Sequence, residues 1–120
     1  MLNLFQHPKQ LLILHLYLST MLKTGYVYIM TNKWRTTFYV GITGNLAKRI
    51  AEHKSGTGSE FTGRYQLTDL IYYEVIHDIE QAIKREKQLK RWHKEWKINL
   101  IKKVNPEMKD LSETGLKWLY

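Results

Sequence analysis

The 120-residue chain carries 19 Lys and Arg residues against 11 Asp and Glu residues, a formal net charge of +8 at pH 7. A chain of this length has room for one domain with one modest core. Its composition, 43% hydrophobic and 25% charged, argues against wholesale disorder. So basic a balance is expected of a surface that meets phosphates, which makes nucleic acid the leading partner. The chain has no cysteine, which excludes disulfides, thiolate metal sites and a thiol nucleophile and suits a cytoplasmic protein.

The beginning of the chain differs from the rest. Leu11 to Leu18 is an apolar run interrupted by His15, and it is too short to span a bilayer, so no membrane partner is expected. No clear small-residue cleavage site follows it, and Met21 stands just before the regular pattern begins. Residues 1–24 are therefore predicted to be a non-catalytic extension. It is either a packed or docking helix or the product of a misassigned start.

A β-hairpin is predicted next. Tyr26–Met30 and Thr37–Ile42 are rich in β-branched and aromatic residues, which favour strands. Asn32, Lys33 and their neighbours supply a polar turn between the two runs. The two strands should therefore pair with each other.

A helix, a loop and a third strand follow the hairpin. Asn45 is a suitable cap for a helix that runs to about Lys54. The Gly- and Ser-containing segment Ser55–Gly63 indicates a mobile loop, and Leu70–Ile76 has the composition of a strand.

Two helices complete the predicted domain. Asp78 can cap a long helix that ends at Arg91, and Trp92–Val104 is a second amphipathic stretch, which stops near Asn105 and Pro106. The order β, β, α, β, α, α predicts an α+β fold. Residues 25–111 are taken as the domain and residues 112–120 as a tail.

The first of the two long helices contains one residue that breaks its pattern. Ile79, Ala82, Ile83 and Leu89 share one apolar stripe, and Glu86 falls in the middle of it. An inward-pointing carboxylate is costly unless a cation meets it. The cation is either an Arg side chain, which would make a structural ion pair, or a hard metal ion such as Mg²⁺.

The helix that Asn45 caps brings two further polar side chains together. Leu46, Ala47 and Ile50 define its buried face, while Arg49 and His53, four residues apart, lie along one edge of that face. Both can reach a shared cleft. Taken singly, each residue is more simply explained as a solvated Arg or a His with only its tip in water.

Two tyrosines face the same region from the predicted hairpin. In alternating strands Tyr28 shares a face with Tyr26 and Met30, whereas Tyr39 shares one with Gly41. The missing side chain of Gly41 leaves room for close approach by another group. A strand tyrosine is by default a packing residue, so the hydroxyls alone do not establish a site.

The ordered set of these residues resembles the GIY-YIG nuclease family. Tyr26-Val27-Tyr28 stands where the family has its first motif, and Tyr39-Val40-Gly41 resembles the second. Arg49 matches the helix arginine of the family, and Glu86 matches its metal-binding glutamate. The resemblance is greatest to the small standalone bacterial members related to the nuclease module of excinuclease. It implies a small three-stranded antiparallel β-sheet flanked by helices.

The resemblance also implies a chemistry, which is metal-dependent hydrolysis of DNA phosphodiesters in DNA repair or processing. Glu86 would hold one Mg²⁺ or Mn²⁺, and Arg49 would bind a phosphate oxygen through its forked guanidinium. Tyr28 would orient or deprotonate the attacking water, helped by Tyr39. Because free tyrosine has a pKa of about 10, His53 is the reserve base.

The sequence departs from the family pattern at a few positions. Tyr26 replaces a glycine, Val40 replaces an isoleucine, and Ile42 stands where excinuclease-type members commonly carry a lysine. The phosphate contact of that lysine is then either lost or supplied by Lys48 or His53. A late family asparagine corresponds tentatively to Asn99. The alternative function is a non-catalytic nucleic-acid-binding module that kept the fold.

A set of basic residues is expected to bind DNA phosphates without reading sequence. Trp92 and Trp96 either pack in the core, which is favoured, or stack on bases. With so little chain left for a recognition domain, a protein partner is expected to supply specificity. The basic residues are Lys48, Lys54, Arg64, Lys84, Lys87, Lys90, Arg91 and Lys94, with Arg85 and Lys97 beside them.

Overall fold

The computed structural model describes residues 8–21 and 23–113. Within these ranges the chain forms three strands and five helices, followed by a 3₁₀ turn at Leu111–Glu113. In chain order the elements are α1 (Pro8–Met21), β1 (Gly25–Thr31), β2 (Phe38–Thr43), α2 (Leu46–Lys54), α3 (Glu60–Arg64), β3 (Asp69–Ile76), α4 (Ile79–Arg91) and α5 (Lys94–Val104). The predicted α+β class is confirmed.

The three strands form one antiparallel sheet in the order β2-β1-β3. The predicted hairpin of β1 and β2 is present, and Tyr28 on the central strand pairs with Gly41 on β2. The Asn32 side chain fixes the turn, because its Oδ1 accepts a hydrogen bond from the Thr36 backbone N–H at 2.8 Å. The Arg35 guanidinium in the turn donates to Asp69 Oδ2 at 2.5 Å, which ties the hairpin tip to β3.

Alternation along β1 divides the core into two layers. Val27 and Ile29 point to the side covered by α4 and α5, where they pack with Leu89 and Ile101. Tyr28 and its neighbours on the same face point to the other side, where they pack with Leu46 of α2. Each face of the sheet is therefore covered, and the two clusters differ in chemistry.

The helix caps follow the sequence. The Asn45 side chain accepts a hydrogen bond from the Lys48 N–H at 3.1 Å, and the Asp78 side chain accepts one from the Glu80 N–H at 3.0 Å. Each cap satisfies one of the backbone donors that a helix start leaves without a partner. Both predicted helix starts are confirmed.

Three expectations about local structure are wrong. The segment predicted as a loop, Ser55–Gly63, contains the start of α3, because the Ser59 hydroxyl accepts a hydrogen bond from the Thr62 N–H and caps a short helix. Trp92 lies outside a helix and joins α4 to α5. Ile83 is 39% exposed, because the buried face of α4 includes Glu86 and leaves Ile83 at its edge.

The segment after α5 is bound to β3. The Asn105 side chain donates to the Ile71 carbonyl at 2.9 Å, and Asp110 Oδ1 accepts from the Leu70 N–H at 3.1 Å. These contacts explain why the chain turns back at Asn105. Residues 1–7, 22 and 114–120, which include parts of the predicted extension and tail, lie outside the described residues.

The N-terminal helix α1 contains the whole of the predicted apolar run. Its described side chains include Leu12 and Ile13, which are 58% and 66% exposed. No helix in the described ranges is long and apolar enough to cross a membrane.

Candidate active site

The site is built around Tyr28 on the central strand. Its ring lies directly over Gly41, where a Cβ atom would come within 2.4 Å of the Tyr28 hydroxyl oxygen. The predicted room for close approach at Gly41 is therefore occupied by Tyr28 itself. The ring of Tyr39 lies beside it, with centroids 6.3 Å apart. Because Tyr28 is only 2% exposed, glycine at position 41 is what allows this buried ring to fit.

His53 of α2 meets the Tyr28 hydroxyl. Its Nε2 lies 3.0 Å from the Tyr28 oxygen, and its Nδ1 lies 3.0 Å from the Thr62 hydroxyl of α3. Gly58 closes over the ring, since a Cβ at this position would lie 2.4 Å from Nδ1. The imidazole is 2% exposed and is held on both nitrogens, so its orientation is fixed.

The hydrogen bonds around Thr62 allow the His53 tautomer that carries its proton on Nδ1. The Thr62 hydroxyl can donate to the Ser59 carbonyl, 3.2 Å away, which accepts only. It then accepts from the Nδ1–H of His53, which leaves Nε2 as the acceptor for the Tyr28 hydroxyl. The Ser59 hydroxyl, 2.8 Å from that of Thr62, completes the chain. In this tautomer the network presents a base to the Tyr28 proton.

Burial controls the ionisation of the pair. It raises the pKa of Tyr28 well above its ordinary value, electrostatic interaction with Tyr39 adds to this shift, and the charge of Arg49 opposes it. Burial also lowers the pKa of His53, and the charge of Arg49 lowers it further. Near neutral pH the pair consequently consists of a neutral phenol and a neutral imidazole.

Arg49 lies at the edge of this cluster. Its Nη1 contacts Glu52 Oε2 at 3.3 Å and the Gly58 carbonyl at 3.4 Å. The side chain remains 37% exposed. Part of the side chain is therefore accessible to an anion such as a phosphate.

An aromatic row extends from the cluster towards solvent. The ring of Phe61 lies 6.1 Å from that of Tyr39, and the ring of Tyr65 lies 4.7 Å from that of Phe61. Phe61 and Tyr65 are 44% and 47% exposed. The outer wall of the site is thus apolar and accessible.

Glu86 is buried on α4, as its position on the helix predicts, with 7% of its surface exposed. Its partner is neither an Arg nor a buried residue, because Oε1 forms an ion pair with the Nζ of Lys90 at 2.5 Å, and the Lys90 side chain is 53% exposed. The charge of Glu86 is close enough to Tyr28 to contribute to its raised pKa.

The donor set suits a hard divalent ion that keeps most of its water. A carboxylate oxygen is the ligand type that Mg²⁺ and Mn²⁺ prefer, and the ion pair with Lys90 shows that Glu86 attracts a cation. No group of three or more His, Asp or Glu residues that could hold a metal ion occurs in the described ranges. Glu86 would thus be a single protein ligand, which is how Mg²⁺ is commonly held.

Ile42 stands where excinuclease-type members of the family commonly carry a lysine. It packs against the apolar cluster beneath α4, on the face of β2 opposite to Tyr39 and Gly41. It is therefore a packing residue in this chain.

Three of the predicted DNA-binding residues are already engaged. Lys54 Nζ forms an ion pair with Asp110 at 2.7 Å, Lys90 pairs with Glu86, and Lys94 Nζ donates to the Thr36 carbonyl at 2.5 Å. These bonds reduce what each lysine can offer a phosphate.

Other basic residues line a shallow groove on the outer side of α4. Trp92 is partly buried against the core, whereas Trp96 is 53% exposed, so the prediction of core packing holds for only one of them. Asn99 is exposed on α5 beside Trp96 and makes no hydrogen bond to the tyrosines or His53 within the described ranges. The groove is lined by Lys84, Lys87, Gln88, Arg91, Trp92 and Trp96, while Lys48 and Arg64 are exposed elsewhere.

Sequence reasoning missed the residues that hold His53. Thr62, Ser59 and Gly58 all come from the segment predicted as a loop. The one available signal was Ser59 followed by Glu60, a pattern typical of a helix start. Glu52, the partner of Arg49, lies three residues after it on α2 and was detectable as a helical pair.

Comparisons with known proteins identify the family of the chain. Residues 24–99 match the model of the GIY-YIG catalytic domain. The chain is 37% identical over 84 residues to a UPF0213 protein of Syntrophus aciditrophicus, an overlap of 69% of this chain and 94% of the relative. A UPF0213 protein of Staphylococcus haemolyticus is 33% identical over 76 residues, 63% of this chain and 92% of the relative. No solved structure matches the chain significantly.

These matches identify the class of protein. The chain belongs to the GIY-YIG family, and its domain is of nuclease type. The predicted resemblance to small bacterial members of that family is confirmed.

Proposed function

We propose that this protein is a metal-dependent endonuclease that hydrolyses phosphodiester bonds of DNA. The observation that carries the proposal is the buried hydrogen bond between Tyr28 and His53, next to the half-exposed guanidinium of Arg49. A hydroxyl bonded to a neutral imidazole that a third group orients is the arrangement expected of an activated hydroxyl.

Tyr28 and His53 move the proton of the attacking water. The Tyr28 oxygen takes this proton as its own hydroxyl proton passes to Nε2 of His53, so a free phenolate need not accumulate. The Thr62 hydroxyl accepts a hydrogen bond from Nδ1–H throughout and stabilises the imidazolium that forms. The water oxygen bonds to phosphorus, and the bond to the leaving oxygen breaks.

Arg49 and Glu86 supply the remaining functions. The free nitrogens of Arg49 bind a non-bridging phosphate oxygen, where a planar fork suits the geometry. Glu86 would hold one Mg²⁺ or Mn²⁺, as GIY-YIG nucleases generally use a divalent ion, and Lys90 would have to release the carboxylate for it. Such an ion would supply stabilisation of the negative charge on the phosphate and the leaving oxygen. Tyr39 positions the Tyr28 ring.

Binding to DNA is proposed to be largely independent of sequence. The groove of Lys84, Lys87 and Arg91, together with exposed Lys48 and Arg64, offers charges for backbone phosphates. A protein partner is proposed to supply specificity. The resemblance to the nuclease module of excinuclease makes DNA repair or processing the proposed setting.

The test is a cleavage assay on the full chain with duplex, nicked, branched and single-stranded DNA. Each substrate is incubated with Mg²⁺, with Mn²⁺ and with a chelator. Cutting is expected only with metal, and Glu86→Gln is expected to lower its rate by about 10²- to 10⁴-fold, since several kcal/mol of charge stabilisation are lost.

Glu80→Gln is the matched control, because Glu80 is an exposed glutamate on the same helix. It should cut at the rate of the wild type. Cutting that survives Glu86→Gln would refute the metal assignment. Salt-sensitive binding with no cutting under any metal would favour the non-catalytic binding module, for which Ile42 in place of the family lysine is the specific argument.

A further inference from the structure

A second cavity lies behind His53, on the side away from Tyr28. Its volume is about 440 Å³, within the range of small-molecule sites. The hairpin turn and the connection from α2 to α3 form its sides. The lining includes Lys33, Trp34, Lys54, Gly56, Gln66 and Thr68, and His53 and Thr62 belong to it as well. It contains two lysines and no carboxylate, so the cavity attracts anions.

Trp34 is exposed but rigidly supported. The indole is 70% exposed at the hairpin tip. The neighbouring Arg35 donates to Asp69 at 2.5 Å and to the Met108 carbonyl at 3.1 Å, while Asn32 caps the turn. A large apolar ring held in water on a fixed turn gains nothing for the fold, and it is pre-organised to stack on a flat ligand.

Lys33 provides a charge beside this ring. Its Nζ lies 6.0 Å from the indole centroid and forms no ion pair within residues 8–21 and 23–113. Lys54, by contrast, is held by Asp110. Lys33 is therefore the lysine of the cavity that remains available to an anionic group.

Two glycines stand in the opposite wall of the cavity, Gly56 and Gly63. Gly56 has a φ of +81°, which favours glycine. At Gly63 a Cβ atom would lie 3.1 Å from the Gly56 carbonyl oxygen. Small and polar groups thus face the indole across a space wide enough for a planar ring and a phosphate.

We propose that this cavity binds a phosphorylated nucleotide unit, with its base on the Trp34 indole and its phosphate near Lys33. The unit is either a free deoxynucleoside monophosphate or the phosphorylated, unpaired end of a DNA strand. The choice of a nucleotide rests on the proposed function, since DNA bound at Tyr28 would bring such a unit to the other side of His53. A unit bound in the cavity contacts Thr62, whose hydroxyl is hydrogen-bonded to His53 Nδ1.

The test measures binding by the full chain in the presence of chelator, so that nothing is cut. The probes are dAMP, deoxyadenosine, a blunt duplex, and the same duplex with a short phosphorylated unpaired tail. Trp34→Ala is expected to weaken binding of dAMP, of the tailed duplex or of both by between about fivefold and a hundredfold, the range for loss of one base–aromatic stack. Lys33→Gln should remove the preference for dAMP over deoxyadenosine. Blunt-duplex binding should be unchanged.

Val104→Ala is the control, because Val104 is also an apolar residue that is 70% exposed but lies outside the cavity and outside the basic groove on α4. Loss confined to the tailed duplex would identify a strand end as the ligand, and loss confined to dAMP would identify the free nucleotide. Unchanged binding of both probes by Trp34→Ala, or an equal loss in Val104→Ala, would overturn the proposal. The experiment measures binding and not cutting. If the proposed nuclease activity fails its own test, the binding result therefore still decides whether the cavity takes a nucleotide.

Discussion

The two faces of the sheet bury different kinds of side chain. On the α4–α5 face Val27, Ile29 and Leu89 are fully buried and wholly apolar. On the other face the same strand buries the Tyr28 hydroxyl against His53. Burying polar groups costs free energy unless each is hydrogen-bonded, and no buried side-chain nitrogen or oxygen in the described ranges lacks a partner. The apolar cluster of the first face accounts for stability, whereas the proposed chemistry falls to the second face together with Glu86 of α4.

The largest expected effect comes from the chemical face. Tyr28→Phe keeps the ring over Gly41 but removes the hydroxyl, so the rate of cutting should fall by about 10²- to 10⁴-fold, the usual contribution of a positioned acid–base group. The free energy of unfolding should fall by about 1–3 kcal/mol, because buried His53 loses its donor. Single-turnover cleavage and urea denaturation measure the two changes. Wild-type cutting by this variant would show that the hydroxyl takes no part.

The opposite pattern is expected on the apolar face. Leu89→Ala should lower the free energy of unfolding by about 2–5 kcal/mol, since it leaves a cavity in a fully buried cluster. The cutting rate per folded molecule should stay unchanged when measured well below the unfolding midpoint. Ile83→Ala is the control, because Ile83 on the same helix is 39% exposed and should cost far less. A large loss of rate in Leu89→Ala would mean that the two faces are coupled.

Gly41→Ala tests the placement of the Tyr28 ring without removing its hydroxyl. The added Cβ would lie 2.4 Å from the Tyr28 hydroxyl oxygen, so the ring must shift and its bond to His53 must lengthen. A displacement of about 1 Å can cost about 10²-fold in rate. Gly44→Ala is the matched control on the same hairpin, because a Cβ there meets nothing within 4 Å. Equal cutting rates in Gly41→Ala and Gly44→Ala would show that activity does not depend on the placement of the Tyr28 ring.

What the sequence predicts well is what depends on neighbours in the chain. Asn45 and Asp78 cap their helices through bonds that span two or three residues, and strand alternation places Tyr28 and Gly41 on one face. Glu86 was recognisable as buried from the helical period alone. These features follow from local geometry, which a single sequence contains.

What the sequence does not predict depends on how elements meet. Thr62 reaches His53 only because the capped helix α3 folds back onto α2. Ile83 and Glu86 lie on one stripe, and only the docking angle of α4 decides which of them the sheet covers. The choice of Lys90 over an Arg as the partner of Glu86 is likewise a matter of which side chain can reach. Each outcome is tertiary, so periodicity could not decide it.

The smallest expected effect is a pH dependence specific to the chemical face. Burial, and then the charge of Arg49, lowers the pKa of His53 below its ordinary value of 6.5. Above pH 6.5 the histidine is neutral in both the folded and unfolded states, so its contribution to stability is fully present. As the pH falls below 6.5 the unfolded chain binds a proton that the folded chain resists. The free energy of unfolding should then fall by at most about 1.4 kcal/mol per pH unit until the lowered pKa is passed.

Urea denaturation of the wild type and of His53→Gln between pH 7.5 and pH 5 measures this contribution of His53 to the free energy of unfolding. The variant should show a shallower dependence on pH, whereas His93→Gln, which removes an exposed histidine, should keep the wild-type slope. The cutting rate of the wild type should also persist below pH 6.5 and decline only as His53 becomes charged, since its neutral form is the acceptor for Tyr28. Equal slopes in the wild type and His53→Gln would mean that the imidazole is not held neutral by the fold, and the proton path through Tyr28 would lose its acceptor.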